Sequence, residues 1–271
     1  MWVSSYCKLC LVQSRCLDLL KLSGEGLIPQ LLKYLGDIVE LPHSSEAFAK
    51  SFTYVKSLLR SEDPYKDVKD LLSVSAAVIA GKVRKYLDSV GWDLARVLEF
   101  SAAANVVDTS VLGFEPKELE DVIWDKPAIN EFRKLSDSRV VIALDNAGEF
   151  EVDLILAEAL VRNGFEVVLA VRSESYEVDM TYDGVVRRVL PNGVRVVATP
   201  GNMPPAAYVR DGFLISKGIA NAEAYVELNH HVKSLHLLRV KCEVLSKLFS
   251  VPKGSSLILD GDTLLRTLGK S

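Results

Sequence analysis

Several features are missing from this chain, and each absence narrows what it can be. There is no long basic run, and the formal net charge is −4, which argues against nucleic acid as the primary partner. There is no apolar stretch near the ~20 residues that a membrane helix needs. The opening residues carry Lys8 and Arg15 inside their apolar stretch and do not form a signal peptide, so the expected compartment is the cytosol. The first polar turn after a valine-rich segment lacks the G-x-G spacing of a nucleotide-cofactor loop. Aromatic residues are scattered, with no stacking platform. Internal repeats and low-complexity tracts are absent.

Cysteine is also scarce, at four among 271 residues. Cys7 and Cys10 form a single C-x-x-C pair, joined in the chain only by Cys16 and Cys242. Three readings stand beside one another: reduced or structural thiols, a redox pair, and half of a metal site. Zinc sites use about four ligands, commonly as two such pairs, so the last reading requires Cys242 or a histidine to complete the set through the fold.

What is present is apolar surface, 49% of the residues, enough for a sizeable core. Residues 1–104 repeat apolar positions at three- and four-residue steps and read as helical, with breaks near residues 24–26, 42–45 and 61–64. Residues 105–137 are a transition: a turn near residues 113–116, then short helical pieces near 118–123 and 128–135. From Arg139 the pattern changes. Strands are predicted at 140–144, 167–171, 194–197, 212–215 and 234–240, with helices at 149–163, 183–189, 221–225 and 242–248. Alternation of this kind implies a mostly parallel sheet covered on both faces, an α/β core over 105–271 preceded by a helical region over 1–104. Those N-terminal helices are expected to pack as a cap over an edge or end of the sheet.

The most informative stretch is 140–172. Its two valine-rich runs flank an amphipathic helix that ends at Gly164, a strand–helix–strand unit. Asp145 and Asn146 follow the first strand, where open α/β sheets place ligands. A carboxylate and an amide carbonyl side by side are hard oxygen donors suited to magnesium or manganese. The same pair before a helix also fits an ordinary N-cap, and local pattern does not separate the two. Asp179, on the loop after the next strand, is a third oxygen donor. Lys217 and Gly218 end a later strand, Asn221 is placed to cap the helix after it, and Lys241 ends another strand at the same edge. His230 and His231 are adjacent, and side chains adjacent on a strand point to opposite faces, which argues against a chelating pair. The segment Leu259-Asp260-Gly261-Asp262-Thr263 mimics the D-x-D-x-T nucleophile motif of haloacid-dehalogenase phosphatases. That motif must open a sheet domain rather than lie near residue 271, so it reads as a C-terminal strand and turn.

Taken together, Asn105-Val106-Val107-Asp108, Asp145-Asn146-Ala147-Gly148-Glu149, Asp179, Ser216-Lys217-Gly218 with Asn221, and Lys241-Cys242 resemble the damage-control phosphatase family, first catalogued as domain of unknown function 89. With the Cys7/Cys10 pair, the chain is similar to the small archaeal and bacterial branch. The resemblance implies a Rossmann-like three-layer α/β/α core with an N-terminal helical region. It implies a divalent cation (magnesium, manganese, cobalt or nickel) held by Asp145, Asn146 and Asp179, with Asp145 and Asp179 serving catalysis. It further implies a phosphate pocket lined by Asn105, Lys217, Asn221 and Lys241, and small phosphorylated metabolites as substrates, sugar phosphates or damaged phosphometabolites. The chain departs from the family pattern at Ala104, Val178, Ile219 and Ala220, the last two standing where a polar residue and a glycine are usual. Two rival functions remain: an S-adenosylmethionine-dependent carboxyl methyltransferase, and a non-catalytic metal-binding module that retains the fold. The residues leave oligomeric state open.

Overall fold

The computed structural model describes residues 2–106, 117–228 and 232–269. Val107, Asp108, the turn at 113–116 and the pair His230–His231 lie outside the described residues. The helices are α1 (Ser5–Lys21), α2 (Ile28–Ile38), α3 (Ser44–Leu59), α4 (Lys66–Val90), α5 (Leu94–Ala103) and α6 (Leu119–Val122), then α7 (Phe150–Arg162), α8 (Tyr182–Val186), α9 (Gly218–Glu227), α10 (Glu243–Phe249) and α11 (Gly261–Leu268). Threaded among them are β1 (Ile129–Asn130), β2 (Arg139–Ala143), β3 (Glu166–Arg172), β4 (Val194–Thr199), β5 (Phe213–Lys217), β6 (Ser234–Arg239) and β7 (Ser256–Asp260).

The strands form one sheet in the order β1-β7-β6-β5-β2-β3-β4. Every neighbouring pair is parallel except β6 with β7. The central strand β2 is apolar at successive positions because both its faces are covered. Val140 and Ile142 join one core cluster with residues of α4, α5 and α7. Val141 and Ala143 join the opposite cluster with residues of α9, α10 and α11. This is the three-layer α/β fold expected from the alternating pattern. Gly164 ends α7 at φ +83°, in the left-handed region where a side chain is strained.

Two expectations need correction. Residues 128–135 read as a short helical piece, but the chain forms β1 there. The edge of β7 presents backbone groups that Ala128 N–H and Glu131 N–H satisfy, donating to Ser256 O and Ile258 O at 2.9 Å each. Pairing a sheet edge outweighs a weak helical period in so short a segment. The N-terminal helices, expected to cap the sheet together, divide instead. α4 and α5 lie against α7 on one sheet face. α1–α3 build a third core with Tyr176 and Val178, so they cover the loop that follows β3. Arg15, fully buried, pins that arrangement. It pairs with Asp18 at 3.2 Å and with Glu177 of the loop, and its guanidinium lies 5.2 Å from the Phe52 ring.

Candidate metal and phosphate site

After β2 the chain passes to β3 on one side, and later returns to place β5 on the other. The carboxyl ends of β2 and β5 therefore form the topological switch point, where a crevice opens in a doubly wound sheet. Asp145 emerges on one lip. Gly218, the first residue after β5, forms the other, and the two touch. A Cβ added to Gly218 would stand 1.9 Å from Asp145 Oδ2, and the residue adopts φ +71°. Only glycine meets both demands without strain, which accounts for the Ser216-Lys217-Gly218 turn.

The loop carrying Asp179 folds back onto this lip. Met180 N–H donates to Asp145 O at 2.8 Å and Ala147 N–H donates to Val178 O at 2.9 Å, leaving Asn146 and Asp179 as a bridged pair. Backbone pairing thus brings together three donors that lie far apart in sequence. Neither Asp145 nor Asn146 caps α7. The N-cap position is Glu149, and its side chain makes no capping bond. The N-cap alternative is therefore set aside.

Each donor is oriented by a neighbour. Asn105 Nδ2 donates to Asp145 Oδ2 at 3.0 Å and to Glu149 Oε1 at 2.8 Å. Asn146 Nδ2 donates to Glu149 Oε1 at 3.0 Å, and among the described residues Asn146 Oδ1 is buried with no hydrogen-bond partner. Arg172, the last residue of β3, donates from Nε to Asp179 Oδ2 at 2.6 Å and from its terminal nitrogen to Asn202 O. Burial drives the Asp145 carboxyl well above the usual carboxylate range, with Asp179 and Glu149 adding repulsion. Burial likewise raises Asp179, to about 6, although Arg172 opposes the shift. Two crowded carboxyls and an orphaned amide oxygen form an incomplete electrostatic arrangement that a hard cation would complete. Among the described residues no three His, Cys, Asp or Glu side chains gather as a ligand group. The candidate set instead joins two carboxylates to an amide oxygen.

A cavity of about 160 Å³ opens here, with Asp145, Asn146, Asp179, Arg172 and Lys241 in its wall. Asn105, Lys217 and Asn221 are fully buried and lie behind that wall. Lys217 Nζ sits 2.8 Å from Glu149 Oε2 and 2.9 Å from Asp153 Oδ1, and also donates to Ser101. Burial would lower its pKa, but Asp153 and Glu149 more than offset that and raise it. Lys217 is thus the counter-ion of two buried acids. Asn221, expected at an N-cap, lies inside α9, because Gly218 starts the helix earlier. Its amide donates to Leu144 O at 3.0 Å and Lys217 O at 2.9 Å and accepts from Ala206 N–H at 2.9 Å, tying β2, β5 and the turn before β5 together.

Sequence reasoning does not single out Arg172, Asp153 or Glu223. The first closes strand EVVLAVR, apolar between Glu166 and itself, and that position is its one visible signal. Asp153 lies four residues after Glu149, so the two acids stack on the inward face of α7. Glu223 stands in the cavity wall, and burial, with Glu227 nearby, pushes it up to about 7.

Fold and site together define an α/β protein with oxygen donors and basic side chains gathered at a switch point. The damage-control phosphatase ARMT1-like domain matches residues 4–191, and the chain belongs to that family. The family is generally dependent on divalent metal. The chain is also similar to the uncharacterized protein MJ0202 of Methanocaldococcus jannaschii, at 22% identity over 233 residues, 76% of each sequence. Its fold is similar to the crystal structure of a DUF89 family protein from Pyrococcus horikoshii, with a TM-score of 0.80 at 22% identity, covering 96% of this chain and 99% of that one. Among the described residues no helix is long and apolar enough to cross a membrane.

Proposed function

We propose that the protein is a divalent-metal-dependent phosphatase acting on small phosphate monoesters, in the class of sugar phosphates and damaged phosphometabolites. The observation that carries this reading is the meeting of Asp145, Asn146 and Asp179 in the wall of one cavity with Lys241, with Asn146 Oδ1 buried and without a hydrogen-bond partner among the described residues. Asp145, Asn146 and Asp179 would hold the cation, with magnesium, manganese, cobalt and nickel as candidates. When bound, such a cation supplies neutralisation of phosphoryl charge and a lowered pKa for an attacking water.

The chain's own residues do the rest. Lys241 meets the phosphoryl oxygens and stabilises the charge that grows as the ester bond breaks. Arg172 fixes Asp179, and Asn105 fixes Asp145, so that both acids keep one orientation through the reaction. Either acid is placed to orient the water or accept its proton. Lys217 and Asn221 support the floor from behind: the lysine balances Glu149 and Asp153, and the amide clamps the two strand ends.

The test is release of inorganic phosphate from a panel of sugar phosphates and simple phosphate esters, with each of the four metals supplied in turn. Metal-dependent turnover that Asp145→Asn abolishes is the expected result. No turnover on any ester, at high enzyme concentration, overturns the reading. Heat on titration with S-adenosylmethionine would revive the methyltransferase alternative.

A further inference from the structure

We propose that the outer face of α4 is a self-docking surface, through which two copies of this chain pair antiparallel about a two-fold axis. The inference is independent of the cavity, since among the described residues none of α4 lines it.

α4 buries Ile79, Ala80, Val83 and Leu87 in the core it shares with α7. The opposite side of such a helix is ordinarily polar. Here it carries Leu71, Val74 and Val78, exposed at 71%, 69% and 60%. These three and Gly81 follow one another at steps of three, four and three residues, the spacing of a seam between two helices. Valine is a weak helix former, and on a solvated face no packing compensates for that. Glycine is weaker still. A Cβ added at Gly81 would meet nothing within 4 Å, so packing inside the chain does not require glycine there. The close approach of a second helix does.

Charge fixes the occupant and its direction. The next seam positions outward are Asp67 and Lys85, four residues beyond Leu71 and Gly81. Among the described residues neither closes a salt bridge within the chain. In an antiparallel pair with its axis level with Ala76, Val74 faces Val78 of the second copy, Leu71 fills the space over Gly81, and Asp67 faces Lys85. On one flank Asp70 meets Arg84 of the second copy, and on the other Lys82 lays its stem over Val68. Inside the chain Asp70 and Lys82 hold only the surface partners Lys66 and Glu120, which leaves them free to share a second charge. Every contact occurs twice. A parallel pair would set each charge against its own copy, and a partner of uniform charge would be repelled at one end of the seam. From Asp67 to Lys85 the seam runs about 27 Å. Two helices of that length bury less than the ~800 Å² per partner of a standard interface, so the dissociation constant is expected on the order of 10 μM.

The test is sedimentation equilibrium of the full chain from about 1 to about 500 μM, a range that brackets that constant. A reversible monomer–dimer equilibrium is expected, and a chain that stays monomeric throughout overturns the proposal. Val74→Glu sets an acid against Val78 of the other copy, twice per dimer, and should weaken association by at least about 100-fold. An unchanged constant would mean that the dimer uses another face, which also overturns it. Asp67→Lys and Lys85→Asp each place like charges opposite one another and should weaken association by about tenfold or more. Mixed together, these two single variants should associate with each other. The double variant Asp67→Lys/Lys85→Asp should return to within about threefold of wild type. A double variant no better than either single one refutes the antiparallel register and the proposal with it. All three positions are exposed, so the fold survives each change, and far-UV circular dichroism of every variant checks this.

Discussion

Replacing Gly218 by alanine tests whether the contact between two lips of the sheet holds Asp145, the proposed metal ligand. The magnitude follows from two parts. A side chain at φ +71° costs ~1–2 kcal/mol for its left-handed backbone. The new methyl group would also stand 1.9 Å from Asp145 Oδ2, so the carboxylate must move. Moving it breaks the 3.0 Å bond from Asn105, a bond to a charged group worth ~1.5–3 kcal/mol. The total is about 3–5 kcal/mol, or a fall in Tm on the order of 10 °C for a chain of this size. Gly164 supplies the control. It adopts φ +83° with nothing within 4 Å of an added Cβ, so Gly164→Ala incurs the backbone cost alone, ~1–2 kcal/mol. Thermal unfolding of both variants, with manganese titrated by calorimetry, separates strain from displacement. Gly218→Ala should lose at least about tenfold in manganese affinity, the scale of losing a ligand's support. Gly164→Ala should bind as wild type. If the two variants lose equal stability and both retain the metal, the close approach of Asp145 to Gly218 is not what positions the ligand.

Arg172→Lys keeps the charge but loses the fork that reaches Asp179 Oδ2 at 2.6 Å and Asn202 O together, and calorimetry should show a ~10–100-fold loss of metal affinity. Lys217→Met leaves Glu149 and Asp153 as buried charges without their cation and should cost ~3–5 kcal/mol in urea unfolding, whereas Lys241→Met should cost less stability but ~10²-fold or more in kcat/KM. The metal-free protein should melt at a lower temperature at pH 8 than at pH 5. Burial raises Asp179 to about 6, and Asp153 and Glu223 to about 7, so folded carboxyls hold protons more tightly than unfolded ones. Their stabilising contribution is complete below the unfolded carboxyl range near pH 4 and is lost as pH rises through 6 to 7. Millimolar manganese should raise the melting temperature most at the alkaline end. A metal-free Tm that climbs steadily from pH 5 to pH 8 contradicts the assignment of these acids.

Asp145 and Asn146 are visible in the sequence as two polar residues that end a valine-rich strand, a pattern an N-cap shares, and what separates the readings is that Glu149 holds the N-cap position. Asp179 is legible only as a polar residue on the next strand-end loop. Its nearness to Asn146 depends on backbone pairing between two turns, which leaves no signature in composition. β1 is misread because two residues carry no period, and its stability comes from the edge of β7 rather than from itself. The basic residues show the limit most clearly. Lys217 and Arg172 each end an apolar strand, and by sequence each could as well face a ligand as a neighbour. What assigns them is the acid that lies nearest in space. Lys217 has Glu149 and Asp153 within 3 Å, at the N-cap and in the first turn of α7, and moving it away would leave two buried acids without their cation. Arg172 has one carboxylate, Asp179, and both line the cavity, so its charge stays at the site and holds that acid in place. A strand-end cation therefore acquires its role from whichever element brings an acid to it, a helix start for Lys217 and a folded-back loop for Arg172. Glu149 and Asp153, four apart at the start of α7 and both buried, are the acids that the adjacent strand end answers with Lys217.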